Sequence, residues 1–424
     1  MPKDKWSETN LPDPSVETVT DALILPLTKS GRKSYSGGVL DRSGAFVEAS
    51  GVRRGEPSRW ILGPDGIGAV PSDDQIGERL DSAVYCGPLF DHFGHFLLEG
   101  LARLWWVVEN QPDIPCVFIA DGGAPSYAES FLNDFAPLKD VRVLVSPTRV
   151  RHLIVPGPAF EIGHGASAKA VLPFRAAYPD TKLDGDAPPS GKIYLSRKNI
   201  STTPLVGEDL IETVMAKNGY DIVYPEKLPL KEQVRTVRAA SHIAGPIGSA
   251  LHLNLFAEGR QMIYFSPMAR LRKSYHVIDQ ICGHSAHYLI CSSAPRGKLP
   301  HSPGEQMPFA LQIARFRRAL RKLRFDLSAL PKNAQEQVDR AYAALWYEKH
   351  ARALEKAGDK VNARGAWLLS FLAKRPKTKR AKAKLEGLRL GRSDREIDFL
   401  FPTEQKTGRR AAAKRADTTP TQEA

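Results

Sequence analysis

Apolar and polar positions sort this chain into an unpatterned beginning, two stretches of regular alternation, and a helical, basic end. Residues 1–81 mix Gly, Pro, Ser and charge with short apolar runs such as Ala22–Leu27, and predict an irregular lead-in with edge strands at most. From Ser82 a strand–helix rhythm begins. Ala83–Cys86 is a short apolar run, and His92–Asn110 (HFGHFLLEGLARLWWVVEN) has helical periodicity behind Asp91, a residue able to cap it. Pro115–Ala120 reads as a buried strand, Tyr127–Phe135 as a helix and Val141–Val145 as a strand. This spacing predicts a parallel sheet covered by helices.

The polar stretch Asp180–Gly191 (DTKLDGDAPPSG) reads as a linker. A second alternation follows. Ile193–Ser196, Asp221–Tyr224, His242–Gly245 and Met262–Phe265 are strands. Between them lie helices at Glu208–Asn218, stopped by Gly219, at Leu230–Ala240, and at Ser249–Ala257, closed by Gly259. The expected fold class is α/β, with two Rossmann-like domains at 82–185 and 190–300 facing a cleft. Residues 301–390 are expected to form a basic helical extension, with helices at Ala334–Lys356 and Asn362–Leu372 joined at Gly358. No second copy of that pair occurs, so a solenoid is unsupported. The tail, 391–424, cannot build a core and is expected to be disordered.

Of the 424 residues 42% are hydrophobic and 25% charged, values of an ordinary globular protein. No apolar run approaches the roughly 18 residues of a membrane span. The N-terminus lacks the apolar core of a signal peptide, and Cys86, Cys116, Cys282 and Cys291 form no CxxC pair. A cytoplasmic location, peripheral to the inner face of the membrane at most, is the expectation. The net charge of +13 gathers in two blocks, Arg315–Arg324 and Lys374–Lys384. Such blocks attract an anionic membrane, an acidic polysaccharide or nucleic acid; a solvated helix face and a loose tail would read the same way.

Two places carry chemistry. Strand His242–Gly245 runs into Gly245-Pro246-Ile247-Gly248-Ser249-Ala250, a glycine turn opening a helix. Such a turn lets a phosphate approach free backbone N–H groups. It is neither GxGxxG nor a P-loop, and an ordinary tight turn capped by Ser249 is the more frequent explanation of such letters. Near His92, His95 and Glu99 share a helix face at i, i+4, a carboxylate–imidazole pair suited to deprotonating a hydroxyl. Glu99 and Arg103 are also i, i+4, so a plain surface ion pair is the alternative.

The ordered segments DHFGHFLLEGLARLWW, KIYLSRKN and EDLIETVMAKNGYDIVYPEKLPLKEQVRTVRAASHIAGPIGSALHLNLF resemble glycosyltransferase family 61, over roughly Tyr85 to Pro267. The resemblance implies an inverting, metal-independent transferase of the two-domain B type. It would move a sugar from a nucleotide donor, expected to be a uridine diphosphate sugar, to a glycan in surface or capsular polysaccharide synthesis, with no separate cofactor. The Asn-x-x-His-x-x-x-Asp/Glu motif of that family falls on His92, His95 and Glu99. Its Ser-Arg falls on Ser196 and Arg197, its Pro-Glu on Pro225-Glu226, its Glu-Gln on Glu232-Gln233, and its glycine loop on Gly245 to Asn254. His92 stands where Asn is usual, Ile247 replaces the loop histidine, and Asn254 lies one position late with His252 close by.

The expected roles follow from that likeness. Glu99 or His95 takes the acceptor proton, with His92 and Arg103 on the acceptor side. Arg197, Ser196, Glu226, Gly245, Gly248, Ser249, Ala250, His252 and Asn254 hold the donor. Asp184-Gly185-Asp186 has the letters of a metal site but sits in the linker, and His252, His276, His284 and His287 lack ligand spacing. A non-catalytic scaffold of this fold and a nucleic-acid binder are the rival readings; no specific nucleic-acid partner is expected.

Overall fold

The computed structural model describes residues 10–31, 34–181, 188–200, 204–266, 272–293 and 309–374. The Asp184-Gly185-Asp186 pattern, most of the second basic block and the 391–424 tail lie outside them. The chain forms two compact units, Met1–Asn199 with Met215–Ile290, and Ile200–Val214 with Cys291–Ala424.

In the first unit β1 (Val16–Lys29), β2 (Tyr35–Leu40), β3 (Val52–Arg54), β4 (Arg59–Leu62), β5 (Glu78–Leu89), β6 (Cys116–Ala120), β7 (Val141–Leu144) and β8 (Thr148–Pro156) build one sheet. Its order is β3-β4-β2-β1-β8-β5-β6-β7. Strands β8, β5, β6 and β7 run parallel to one another, whereas β1 pairs antiparallel with both β2 and β8. The sheet is therefore mixed where a parallel one is expected, and residues 16–62 supply half of it instead of an irregular lead-in. The reason lies in β1. It buries Ala22, Leu23, Ile24 and Leu27 on both faces, so the period-two signal of a half-exposed strand is missing. A register shift between Leu25 and Thr28, around Pro26, breaks what remains.

Over this sheet lie α1 (Phe93–His95), a π turn at Phe96–Gly100, α2 (Leu104–Asn110) and α3 (Ser126–Asp134), then a ribbon of β9 (Phe160–Glu161) and β10 (Gly165–Ala166), and α4 (Leu172–Ala176). The second alternation begins with β11 (Lys192–Leu195). After β12 (Leu205–Val206) and α5 (Glu208–Lys217) come β13 (Asp221–Val223), α6 (Leu230–Ala239), β14 (His242–Pro246), a 3-10 helix Ser249–Phe256, β15 (Gln261–Ser266), α7 (Lys273–Ile281) and β16 (Ser285–Ile290). Strands β13-β11-β14-β15-β16 form an all-parallel sheet in that order. Its connections leave β11 in opposite directions, so a switch point falls between β11 and β14.

The two alternations, expected as separate domains, share one hydrophobic core. Phe96, Leu104, Phe118 and Phe131 of the first belong to the same buried cluster as Ile193, Val234, Leu251 and Tyr264 of the second. Arg238 of α6 reinforces the join. It is buried and donates to the carbonyls of Phe174, Ala177, Tyr178 and Phe256 and to Thr181 Oγ1.

In the second unit β12, β17 (Ser292–Ser293) and β18 (Phe309–Leu311) make a small sheet, followed by α8 (Ile313–Lys322), α9 (Ala334–Lys356) and α10 (Lys360–Ala373). Helix α8 buries Ile313, Phe316 and Leu320 and leaves Arg315, Arg318, Arg321 and Lys322 exposed.

Candidate active site

The segment after β5 is not the continuous helix that its periodicity predicts. Position N-cap is His92, and Asp91 makes no cap. A π turn over Phe96–Gly100 closes with Leu101 N–H on Phe96 O, and α-helix resumes only at Leu104. A π turn holds one more residue than an α turn, so positions beyond it rotate by about 100° and Glu99 and Arg103 part company.

Arg103 is fully enclosed. It donates through Nε and Nη2 to Ala49 O, at 3.2 and 2.7 Å, and through Nη2 to Gly51 O at 2.7 Å. It therefore has no surface for an acceptor, nor does it pair with Glu99. The partner of Glu99 is Arg54 of β3, whose Nε lies 2.5 Å from Oε1 and whose Nη2 lies 2.7 Å from Oε2. The same Oε2 is 2.9 Å from His95 Nδ1. Burial pushes the Glu99 carboxyl up, but hydrogen bonds from His95 and Arg54 and the Arg54 charge together hold it below the ordinary value. Glu99 is an ionised, enclosed carboxylate at 3% exposure, whereas His95 remains 30% exposed. The His92 and His95 rings lie 4.7 Å apart.

Across the switch point the carboxyl ends of β11 and β14 bring Arg197 and the glycine turn together. Arg197 Nη1 donates to Ile247 O at 2.8 Å. A Cβ on Gly248 would lie 2.7–2.8 Å from Arg197 Cδ, Nε and Cζ, so only glycine lets the guanidinium rest on the turn. Gly248, and not Ser249, is the N-cap of the short helix, which is 3-10 and not α; Ser249 and Ala250 are half-buried in its first turn. Ile247, where the resemblance expects histidine, points its side chain into the core. Glu226 is exposed and accepts from Asn199 Nδ2 at 2.8 Å. Ser196, Asn254 and Gly245 are buried: Ser196 Oγ accepts from Lys198 N–H, and Asn254 donates to Tyr264 Oη at 3.3 Å.

The two halves of the site meet at Gly94. A Cβ there would lie 2.9 Å from both His252 Nδ1 and Ser249 Oγ. His252 Nδ1 is enclosed with no hydrogen-bond partner, and burial pushes the ring down to about 3, with the His95, His92 and Arg272 charges adding to the effect. His92, His95 and His252 are thus neighbours, and Arg197 rests on Gly248 at the start of the His252 helix. Among the described residues no group of three or more His, Cys, Asp or Glu is placed to hold a metal ion.

Residues 93–263 match the Glycosyltransferase 61 family model. Over that stretch the chain is similar to glycosyltransferase family 61. No curated protein matches it. The family region begins just before the π turn and ends within β15, so it takes in His95, Glu99, Arg197, the glycine turn and His252. It leaves out Arg54, the residue that engages both oxygens of Glu99. Nothing in the sequence marks Arg54: it lies 45 residues from Glu99 in a three-residue strand. Gly94 was also silent, since a lone glycine on a helix start carries no signal until its neighbours are known.

Proposed function

We propose that this glycosyltransferase inverts configuration without a metal ion, taking a sugar from a nucleotide donor and giving it to a glycan hydroxyl. The observation that carries the reading is the meeting at Gly94: the Ser249–His252 turn of one sheet abuts the His92–Glu99 turn of the other. Donor and acceptor chemistry would then share one edge. The diphosphate would face the Gly248 turn, where backbone N–H groups and Arg197 offer positive charge to the leaving group. His252, with an unpartnered Nδ1, stands in for the loop histidine absent at Ile247. Glu226, exposed and held by Asn199, would meet the ribose hydroxyls. His95 is the general base, because Glu99 is enclosed and its role is to orient the imidazole.

A uridine diphosphate sugar is the donor to test first. Uridine diphosphate should raise the melting temperature, since a ligand at 100 times its Kd adds about 2.7 kcal/mol, and Arg197→Ala should remove most of that gain. No response to any nucleoside diphosphate at millimolar concentration would sink the donor site. The exposed arginines of α8 favour an anionic partner, a lipid surface or an acidic polysaccharide, consistent with a role in surface or capsular polysaccharide synthesis.

A further inference from the structure

We propose that Arg54 is a positioning residue for transfer, clamping the Glu99 carboxylate so that His95 carries its proton on Nδ1 and keeps Nε2 bare for the acceptor hydroxyl. The proposal rests on the reading of His95 as the base. Arg54 meets Glu99 with two donors on two oxygens, at 2.5 and 2.7 Å. A fork of this kind fixes a carboxylate in its plane, whereas a point charge leaves it free to turn. The fixed Oε2 then faces His95 Nδ1 at 2.9 Å and selects the Nδ1–H tautomer.

The clamp is itself held. Arg103 grips the carbonyls of Ala49 and Gly51, just upstream of β3. On the other side Gly55 N–H donates to Ile162 O at 2.8 Å. Arg54 is thus fixed by backbone on both flanks, and its guanidinium lies over the Phe90 ring at 5.1 Å.

The charged and titratable groups facing His95 are His92 on its own turn, Glu99 on the π turn, Arg54 on β3 and His252 on the 3-10 helix. Glu99 is the one anion among them. Taking away Arg54 leaves that anion free to turn, so His95 loses the fixed partner that selects its tautomer.

Histidine-selective ¹⁵N NMR of the whole protein, without substrate, reads the tautomer; His95→Gln identifies the signal. The Nδ1–H form is expected in the native protein. Arg54→Gln should give a mixed-tautomer signal for His95. The kcat, measured as uridine diphosphate release from a panel of uridine diphosphate sugars, should fall about tenfold with it. Arg54→Lys keeps the charge without the fork, so the mixed tautomer and the loss of kcat should remain. A folded Arg54→Gln protein with native tautomer and native kcat overturns the proposal. If that variant does not fold, full kcat in Arg54→Lys overturns it instead. Native transfer by His95→Gln would remove His95 as base, a separate failure, and the substrate-free NMR arm would still judge the clamp.

Discussion

Gly248 shows how much one missing side chain decides. Its α-carbon is the floor on which Arg197 rests, and an added methyl would have to displace the guanidinium. The cost to the fold should be small, since the end of a flexible side chain can move aside. We expect Gly248→Ala to change stability by under about 1 kcal/mol. Uridine diphosphate binding should weaken about tenfold, a 1.4 kcal/mol loss. Combined with Arg197→Ala, the losses should not add, because both remove the same contact. Additive losses in isothermal titration would mean that the glycine serves something other than Arg197. At this scale the sequence was half legible. His95 and Glu99 stood out at i, i+4, and the glycine turn followed a strand. Arg54 did not stand out, because an ion pair between distant segments leaves no periodic trace.

Elements were read best where a short apolar run, or a long helical period, is bounded by Gly, Pro or charge. Helix α9 falls on its expected bounds, and β6, β7, β11, β13, β14 and β15 lie within a residue or two of theirs. The strands β1 and β8 and the helix α7 were not read, because burial on two faces or mixed polarity blurs the period. The helix after β5 was read as too regular, since side-chain spacing cannot reveal a π turn. Helix α7 matters to the site floor. Its Asp279, 5% exposed, accepts from Tyr264 of β15 at 2.6 Å and from Tyr288 of β16, and Tyr264 accepts from Asn254 at the end of the 3-10 helix. Burial pushes the Asp279 carboxyl up to about 7, against the pull of the two tyrosine hydrogen bonds. Because the folded value is raised, its stabilising effect is full below about pH 4, the ordinary carboxyl range, and is lost as pH rises towards 7. The melting temperature of the native protein should therefore fall relative to Asp279→Asn between those limits. A constant difference across that window would show that Asp279 does not titrate there.

The molecule as a whole carries its charge unevenly. No carboxylate occurs between residues 309 and 325, where α8 sits, and its Arg315, Arg318, Arg321 and Lys322 face outward. A row of like charges costs stability and is best offset by an external polyanion. Sedimentation with phosphatidylserine vesicles should show binding that fades as ionic strength rises past about 0.15 M. The triple variant Arg315→Gln, Arg318→Gln, Lys322→Gln should lose it with an unchanged melting temperature. Equal binding to neutral vesicles, or preference for a heparin column over both, would reassign the row.

Arg238 bears on whether the two alternations were ever separable parts. Its guanidinium satisfies its donors on the stretch 174–181, which belongs to the first alternation by sequence, and on Phe256 of the second. A fragment starting at β11 would keep the cation and lose four of its five acceptors, leaving a buried charge with nothing to answer it. A fragment ending at Thr181 would keep carbonyls that no donor reaches. The boundary written in the Pro- and Gly-rich letters thus runs through one shared set of acceptors, and separating the sheets along it should cost both fragments stability.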